Sequence, residues 1–199
     1  MGEIRKSSIS RITKETEVEV SIDLDGCGLV NVSTPLPFFN HMLTQIVRFS
    51  GIDLDLKAQG DVEVDAHHLV EDVGIVLGGC ILEALDDHCG IERFAQEAVP
   101  MDEALAMATL DVSGRPYLFY SDEILQGHAA LGTPGFDPQL AEEFFRALCI
   151  GARVTLHMDF IRGKNTHHLL EAAFKAFGRA LGKSIRVVGD SVPSTKGVI

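Results

Sequence analysis

Apolar and polar positions change period several times along the chain, and each change marks an element. Across residues 16–25, Val18, Val20, Ile22 and Leu24 alternate with Glu17, Glu19, Ser21 and Asp23, the period of a strand with one buried face. Gly26 and Gly28 permit a tight turn, so residues 29–33 read as the return strand of a hairpin. After Pro35 and Pro37 the period lengthens: Leu43, Ile46, Val47 and Phe49 recur at helical spacing, with Asn40 as cap and Gly51 as stop. Ile52, Leu54 and Leu56 alternate again, as do Val62 and Val64 around a Gly60-Asp61 turn. A long apolar helix follows, from a cap at Asp65 through Val73, Val76, Leu77, Ile81 and Leu85.

Residues 86–100 read as a linker, and then the order returns. Leu105, Met107, Thr109 and Asp111 lead to a turn at Ser113-Gly114 and a strand over 116–120. Residues 125–138 hold three glycines and two prolines and read as a loop, a candidate lid or interface segment. A helix over 142–148, a strand over 154–158, a turn at Arg162-Gly163-Lys164 and an Asn165-capped helix burying Leu169, Leu170, Ala173, Phe174, Phe177 and Leu181 complete the chain. Each half therefore reads strand, strand, short helix, strand, strand, long helix. The expected fold class is α+β: internally duplicated two-layer half-units, each a four-stranded sheet with two helices. A single unit would leave an amphipathic helix layer exposed, so the halves, residues 1–92 and 93–199, are expected to pack helix layer to helix layer as one globular domain.

The duplication shows most sharply in a short pattern. His67-His68-Leu69-Val70-Glu71 recurs as His167-His168-Leu169-Leu170-Glu171, each copy opening a long helix. Residues i and i+4 share a helix face, so His67 and Glu71 can point at one metal ion, as can His167 and Glu171. His68 and His168 are rotated by roughly 100° from their neighbours and cannot easily reach the same ion. Two such pairs with two leftover histidines suggest sites completed by exchange between repeats or between subunits.

Composition narrows the setting. The chain has 199 residues, 46% hydrophobic and 23% charged, enough to build a core. Its 17 Lys+Arg against 29 Asp+Glu give a formal charge of −12, which argues against a nucleic-acid binder that works by neutralising phosphates. Cys27, Cys80, Cys89 and Cys149 are scattered, with no disulfide ladder or C-x-x-C pair. The start, Met1-Gly2-Glu3-Ile4-Arg5-Lys6, lacks an apolar leader region, and no apolar run approaches membrane-spanning length, so the expected residence is cytoplasmic, with no membrane partner.

Imidazole and carboxylate donors without thiolate suit zinc, manganese, iron, cobalt or nickel. HHxxE is not the HExxH of zinc peptidases, and the alternating strands contradict the all-helical frame of di-metal carboxylate bundles. A structural metal site holding an oligomer together is the main non-enzyme alternative. Glu15 and Asp72 are carboxylates beyond those needed as ligands, as proton transfer beside a Lewis acid requires. Arg93, Arg115, Lys175 and the Ser194-Thr195-Lys196-Gly197 segment could grip a phosphate, although their separation in sequence leaves that assembly open.

Several segments, in order along nearly the whole chain, resemble the imidazoleglycerol-phosphate dehydratase family. They are Pro37-Phe38-Phe39-Asn40-His41-Met42-Leu43, Asp65-Ala66-His67-His68-Leu69-Val70-Glu71-Asp72-Val73-Gly74, Gly163-Lys164-Asn165-Thr166-His167-His168 with Glu171 and Phe174-Lys175-Ala176, and Pro193-Ser194-Thr195-Lys196-Gly197. The resemblance implies a hydro-lyase of histidine biosynthesis converting D-erythro-imidazoleglycerol phosphate to imidazoleacetol phosphate and water. It also implies two manganese ions per active site and a roughly cubic homo-oligomer of 24 subunits with active sites between subunits.

Carried over by position, the resemblance gives the ligands His41, His67, His68, Glu71, His167, His168 and Glu171. Helical geometry then favours His67 and Glu71 with His41 and an exchanged His168, and His167 and Glu171 with His68 and one further ligand. The family's common pattern has a histidine before Phe-Phe for that last ligand; this chain has Glu143, a carboxylate that manganese also accepts. The resemblance further places Glu15 and Gln45 near the reacting carbons and hydroxyls, and Arg93, Arg115, Lys175, Ser194 and Lys196 around the phosphate. Glu15 and metal-ligating carboxylates, Glu71 and Glu171, are the acid/base candidates. His157 reads as a supporting or core residue, and His88 and His128 have no assigned role.

Overall fold

In the computed structural model residues 5–121 and 123–199 are described; the first four residues, read above for a leader, lie outside them. The alternation at 16–25 becomes β2 (Thr16–Asp23), whose even-numbered residues are buried. It pairs antiparallel with β1 (Lys6–Ile12) on one side and with β4 (Asp53–Gly60) on the other. β3 (Val30–Ser33) runs parallel to β4, Val30 opposite Leu54, with α1 (Pro37–Ser50) as the crossover between them. The expected β2–β3 hairpin is therefore absent: Asp53 Oδ1 accepts from the backbone N–H of Cys27 and of Leu29, both at 2.8 Å, and draws the glycine turn across to β4. α2 (His67–Leu85) closes the first half.

The second half repeats the plan with β5 (Phe94–Met101), β6 (Ala104–Asp111), β7 (Tyr117–Ser121), α3 (Gln139–Ala152), β8 (Thr155–Arg162) and α4 (Thr166–Ser184). The strand orders β1-β2-β4-β3 and β5-β6-β8-β7 match position by position.

Four local expectations need correction. β5 falls largely in the stretch read as a linker and β1 in residues to which no element was assigned, yet both are edge strands. Val62 and Val64 form a turn, with Val64 N–H donating to Asp61 O, and Val64 is exposed. Asn40 is not a cap: Pro37 starts α1 with its preset φ, and Asn40 inside the first turn bonds the N–H and C=O of Thr34 at 3.0 and 3.1 Å. Ala66 occupies the cap of α2, although Asp65 still accepts from His67 N–H at 3.0 Å.

The helix layers face each other. α2 packs most closely on α3 and α1 on α4, so each helix pairs with one from the opposite half. Glycines make the approach possible. A Cβ on Gly78 would stand 2.5 Å from Leu148 O, one on Gly74 2.7 Å from Phe144 O, and one on Gly178 2.7 Å from Ile46 O. The apolar residues of both halves merge into one core, with Phe39, Phe144, Phe145, Phe174 and Phe177 at its centre.

The first strand of each half, β1 and β5, is held to its long helix by a buried carboxylate. Arg11 of β1 donates to Asp72 of α2 at 2.8 Å, and Thr16 completes that carboxylate's bonding. In β5, Glu97 accepts from Arg179 at 2.6 Å and from Lys183. Asp72, weighed above for proton transfer, is thus a structural anion.

Two outcomes are expected. Gly78→Ala should lower stability by about 1–3 kcal/mol in denaturant unfolding, because its methyl meets backbone that cannot yield. Gly79→Ala, facing only the tip of Ile9, should stay within about 0.5 kcal/mol of wild type. The second outcome concerns acid. The hydrogen bond from Lys183, opposed by burial and reinforced by Arg179, holds the Glu97 carboxyl below its usual range. Its contribution is present above the unfolded value of about 4.3 and is lost as pH falls through the folded one. Stability of Glu97→Gln, measured from pH 7 to 3, should fall less steeply than that of wild type.

Candidate metal centre

Asn165 starts α4 as the sequence predicts, its Oδ1 accepting from His167 N–H at 2.9 Å and His168 N–H at 3.4 Å. That cap sets the two histidines on the first turn of the helix, with Glu171 one turn on. His167 Nε2 lies 2.9 Å from Glu171 Oε2, as the i,i+4 spacing requires. The third member comes from the other half: His41 Nε2 of α1 lies 3.1 Å from the same oxygen. These three ligand atoms fall within 4.8 Å of one another. Within the chain His41 stands with His167 and Glu171 and not with His67 and Glu71, because α1 packs across the molecule onto α4 rather than onto α2.

Glu171 is 7% exposed and carries the densest electrostatics of the site. Burial pushes its carboxyl up, but hydrogen bonds from Lys175, His41 and His167 outweigh that and hold it at about 2. Lys175 Nζ lies 2.7 Å from Glu171 Oε1, so within the chain this lysine serves the carboxylate and stands apart from the other basic residues. Gln45, expected at the substrate, presents Nε2 at 3.3 Å from His41 Nδ1 and steadies that ring. Phe38 stands edge-on to His167, with Phe136 of the 125–138 loop packed behind it. The same loop brings His128, 2.6 Å from Thr166 Oγ1 beside the first turn of α4.

The first motif is arranged differently. His68 Nδ1 faces Glu15 at 3.5 Å and Asp61 at 3.6 Å without a hydrogen bond, and Asp61 Oδ1 is likewise buried and unpartnered. Glu15, Asp61 and His68 form the second three-donor group found among the described residues. Glu71 makes no hydrogen bond or ion pair among those residues, and the His67 ring stands edge-on to the His68 ring. Glu143 lies with Arg146 at 3.6 Å, lining a cavity of about 300 Å³ with His128, Asp137 and Glu142. It does not join His167 and Glu171 within the chain, since α3 packs on α2.

His168 points away from the Glu171 group. Its Nδ1 lies 2.8 Å from Glu103 Oε2. The hydrogen bond from His168, then backbone N–H groups including those of Asn165 and Lys164, hold the Glu103 carboxyl at about 2, and the same bond raises His168. Sequence reasoning passed over Glu103. Repeat alignment carries the signal, since Glu103 sits in the β5–β6 turn as Glu15 does in the β1–β2 turn.

Arg93, Arg115, Ser194 and Lys196 do come together, around a cavity of about 920 Å³. Arg93 takes a left-handed backbone, φ 72°, and its guanidinium is engaged by Asp111 at 2.8 Å and Pro193 O at 2.8 Å, pinning the C-terminal segment. Arg115 is the exposed cation of the pair, 3.7 Å from Asp111. His157 stacks on Phe119 on the outer face of the second sheet, and His88 is a buried ring near the end of α2. No described helix is long and apolar enough to cross a membrane.

The donor set fits a hard or borderline divalent cation. Two imidazoles and a carboxylate converge with room for further ligands, and an orphaned His68 nitrogen marks a second polar focus. A family model described as imidazoleglycerol-phosphate dehydratase matches residues 34–181. The imidazoleglycerol-phosphate dehydratase of Methanopyrus kandleri is 48% identical over 203 aligned positions, covering 100% of this chain and 98% of that protein. The crystal structure of the enzyme so named from Staphylococcus aureus superposes with a TM-score of 0.81 at 42% identity, over 92% of this chain and 99% of that one. The structure from Pyrococcus furiosus gives 0.78 at 36% identity, over 96% and 100%.

Proposed function

The chain belongs to the imidazoleglycerol-phosphate dehydratase family, a metal-binding hydro-lyase of histidine biosynthesis, and we propose that it works with two manganese ions in active sites shared between copies of itself. The observation that carries this reading is the convergence of His41, His167 and Glu171 from two halves of the chain onto one point. Three ligands leave a six-coordinate ion unfinished. His68 and His168, 42% and 24% exposed at the side chain, lie apart from that point and would finish sites on neighbouring copies. His67, Glu71 and Glu143 would serve the second ion, Glu143 giving an oxygen where a histidine is usual in the family.

Manganese when bound supplies Lewis acidity toward the substrate's imidazole ring. The product would be imidazoleacetol phosphate: the hydroxyl on the carbon attached to the ring leaves, and a proton is lost from the neighbouring carbon. Both events need a group within hydrogen-bond reach. Glu15 has the attributes of that group: a carboxylate on an exposed turn, 57% exposed at the side chain, beside His68. Glu71 and Glu171 are the carboxylates nearest the ions. Arg115, Ser194 and Lys196 would hold the phosphate, with Arg93 keeping their wall in place, and that remote grip orients the reacting carbons. Because Lys175 stands apart from them in the chain, its phosphate contact would be made across a subunit boundary.

A homo-oligomer of 24 copies is the assembly proposed. The outer face of the second sheet supports self-association: Phe94, Tyr117 and Phe119 are 58%, 56% and 42% exposed there, while Glu17, Glu19, Asp55 and Lys57 occupy the first sheet's outer face. Cytoplasmic residence belongs to the same reading, and all four cysteines are free thiols in the fold.

Metal-stripped protein should be inactive on imidazoleglycerol phosphate and regain product formation when manganese is added. Absence of turnover with manganese or zinc, from protein verified as folded and assembled, would leave only a metal-built scaffold. Glu15→Gln should bind substrate with turnover reduced by about 10²–10⁴; unchanged turnover in a steady-state assay would remove Glu15 from proton transfer.

A further inference from the structure

We propose that Glu103 is a positioning residue, fixing the His168 ring so that its Nε2 lone pair is offered outward to a cation held with another copy of the chain. The inference rests on the metal reading above. Glu103 has both oxygens committed. Oε2 lies 2.8 Å from His168 Nδ1, and Oε1 accepts the backbone N–H of Asn165 at 2.8 Å and of Lys164 at 3.2 Å. An ionised carboxylate only accepts, so Nδ1 must carry the proton in this contact. In the neutral ring that leaves Nε2 deprotonated, the tautomer a metal takes, and the carboxylate raises the basicity of that nitrogen. The other acidic group near it, Asp102 Oδ2, stands 3.8 Å from Nε2 on a side chain 79% exposed, beyond hydrogen-bond reach.

The repeat provides an internal comparison. Glu15 holds the equivalent turn in the first half, with no backbone donor on its carboxylate, and stands 3.5 Å from a His68 Nδ1 that is left unpartnered. Duplicated turns thus carry the same residue in two conditions: locked at 103, loose at 15. A locked carboxylate fixes a ring, whereas a loose one can change partners during a reaction. Divergence after duplication has assigned Glu103 the first task and left Glu15 available for the second.

Glu103→Gln decides the matter. Glutamine can still accept from Asn165 and Lys164 through its oxygen, so the turn is kept, but its NH₂ would face Nδ1. Donation to Nδ1 moves the ring proton to Nε2, which closes the lone pair. Manganese titration of the metal-stripped protein, followed by the electron paramagnetic resonance of free ion, should show half-saturation at a concentration raised about 10–100-fold. Glu103→Asp should recover part of that loss. Wild-type affinity in Glu103→Gln overturns the proposal, including the case in which Glu103→Ala alone is weakened, since the residue then only supports the turn. A wild-type protein that binds no manganese overturns the metal reading, and this proposal with it.

Discussion

Backbone touches backbone where α4 crosses α1, at Gly178 and Gly182, and the metal-binding group exists because of that approach. A methyl group at either glycine would meet main-chain atoms of Ile46 or Ser50, which no rotamer change can move aside. Held this close, α1 delivers His41 to a carboxylate one helix away, and its Nε2 reaches the same oxygen as His167. The matching approach of α2 and α3 at Gly74, Gly78 and Gly151 fuses the other pair of helices. Each half thereby covers the apolar helix layer of its partner, and the core that results belongs to neither half.

Strand and helix identities were largely legible in the chain, and so was the duplication, because β2, β4, β6 and both long helices bury apolar faces at regular periods. β1 and β5 were not, and for one shared reason. Their inward positions include Arg11 and Glu97, whose partners Asp72, Arg179 and Lys183 lie on helices far away in sequence. Charge facing a core breaks the alternation that marks a strand. The β2–β3 hairpin failed differently: two alternating segments and a glycine turn describe a hairpin equally well whether the second strand returns beside the first or is carried past it. Asp53, which receives the turn's N–H groups, decides between these, and nothing near the turn announces it.

The same limit governs the site. Spacing within one helix predicted the His167–Glu171 contact and the Asn165 cap correctly, since both are local. It could not tell which helix His41 would meet, because that depends on crossing contacts among glycines rather than on any ligand. Resemblance collected Arg93, Arg115, Ser194 and Lys196, and the fold gathers them; Arg93 earns its place there by bracing Pro193 with a guanidinium already occupied by Asp111. Lys175, taken with them, is held instead by Glu171.

A helix N-terminus is a poor place for a cation, since the exposed N–H groups give it a partial positive charge. Both HHxxE motifs nonetheless sit on first turns. At α4 the opposing charge is answered by carboxylates on two sides and by the cap. Glu103 takes the N–H groups of Lys164 and Asn165, Asn165 takes those of His167 and His168, and Glu171 stands one turn along with a full negative charge. Of the free donors at the helix start, the N–H groups of Asn165, His167 and His168 are thus taken before a ligand arrives. What remains facing outward is imidazole nitrogen and carboxylate oxygen, which a divalent cation attracts more strongly than the residual dipole repels it. In α2 the local arrangement is less complete: Asp65 accepts one N–H, Glu15 makes no backbone bond with its side chain, and His68 Nδ1 is unpartnered. The first motif is thus left with an unsatisfied nitrogen where the second is locked by Glu103, and on the proposed reading the second is the rigid member of a site shared between copies.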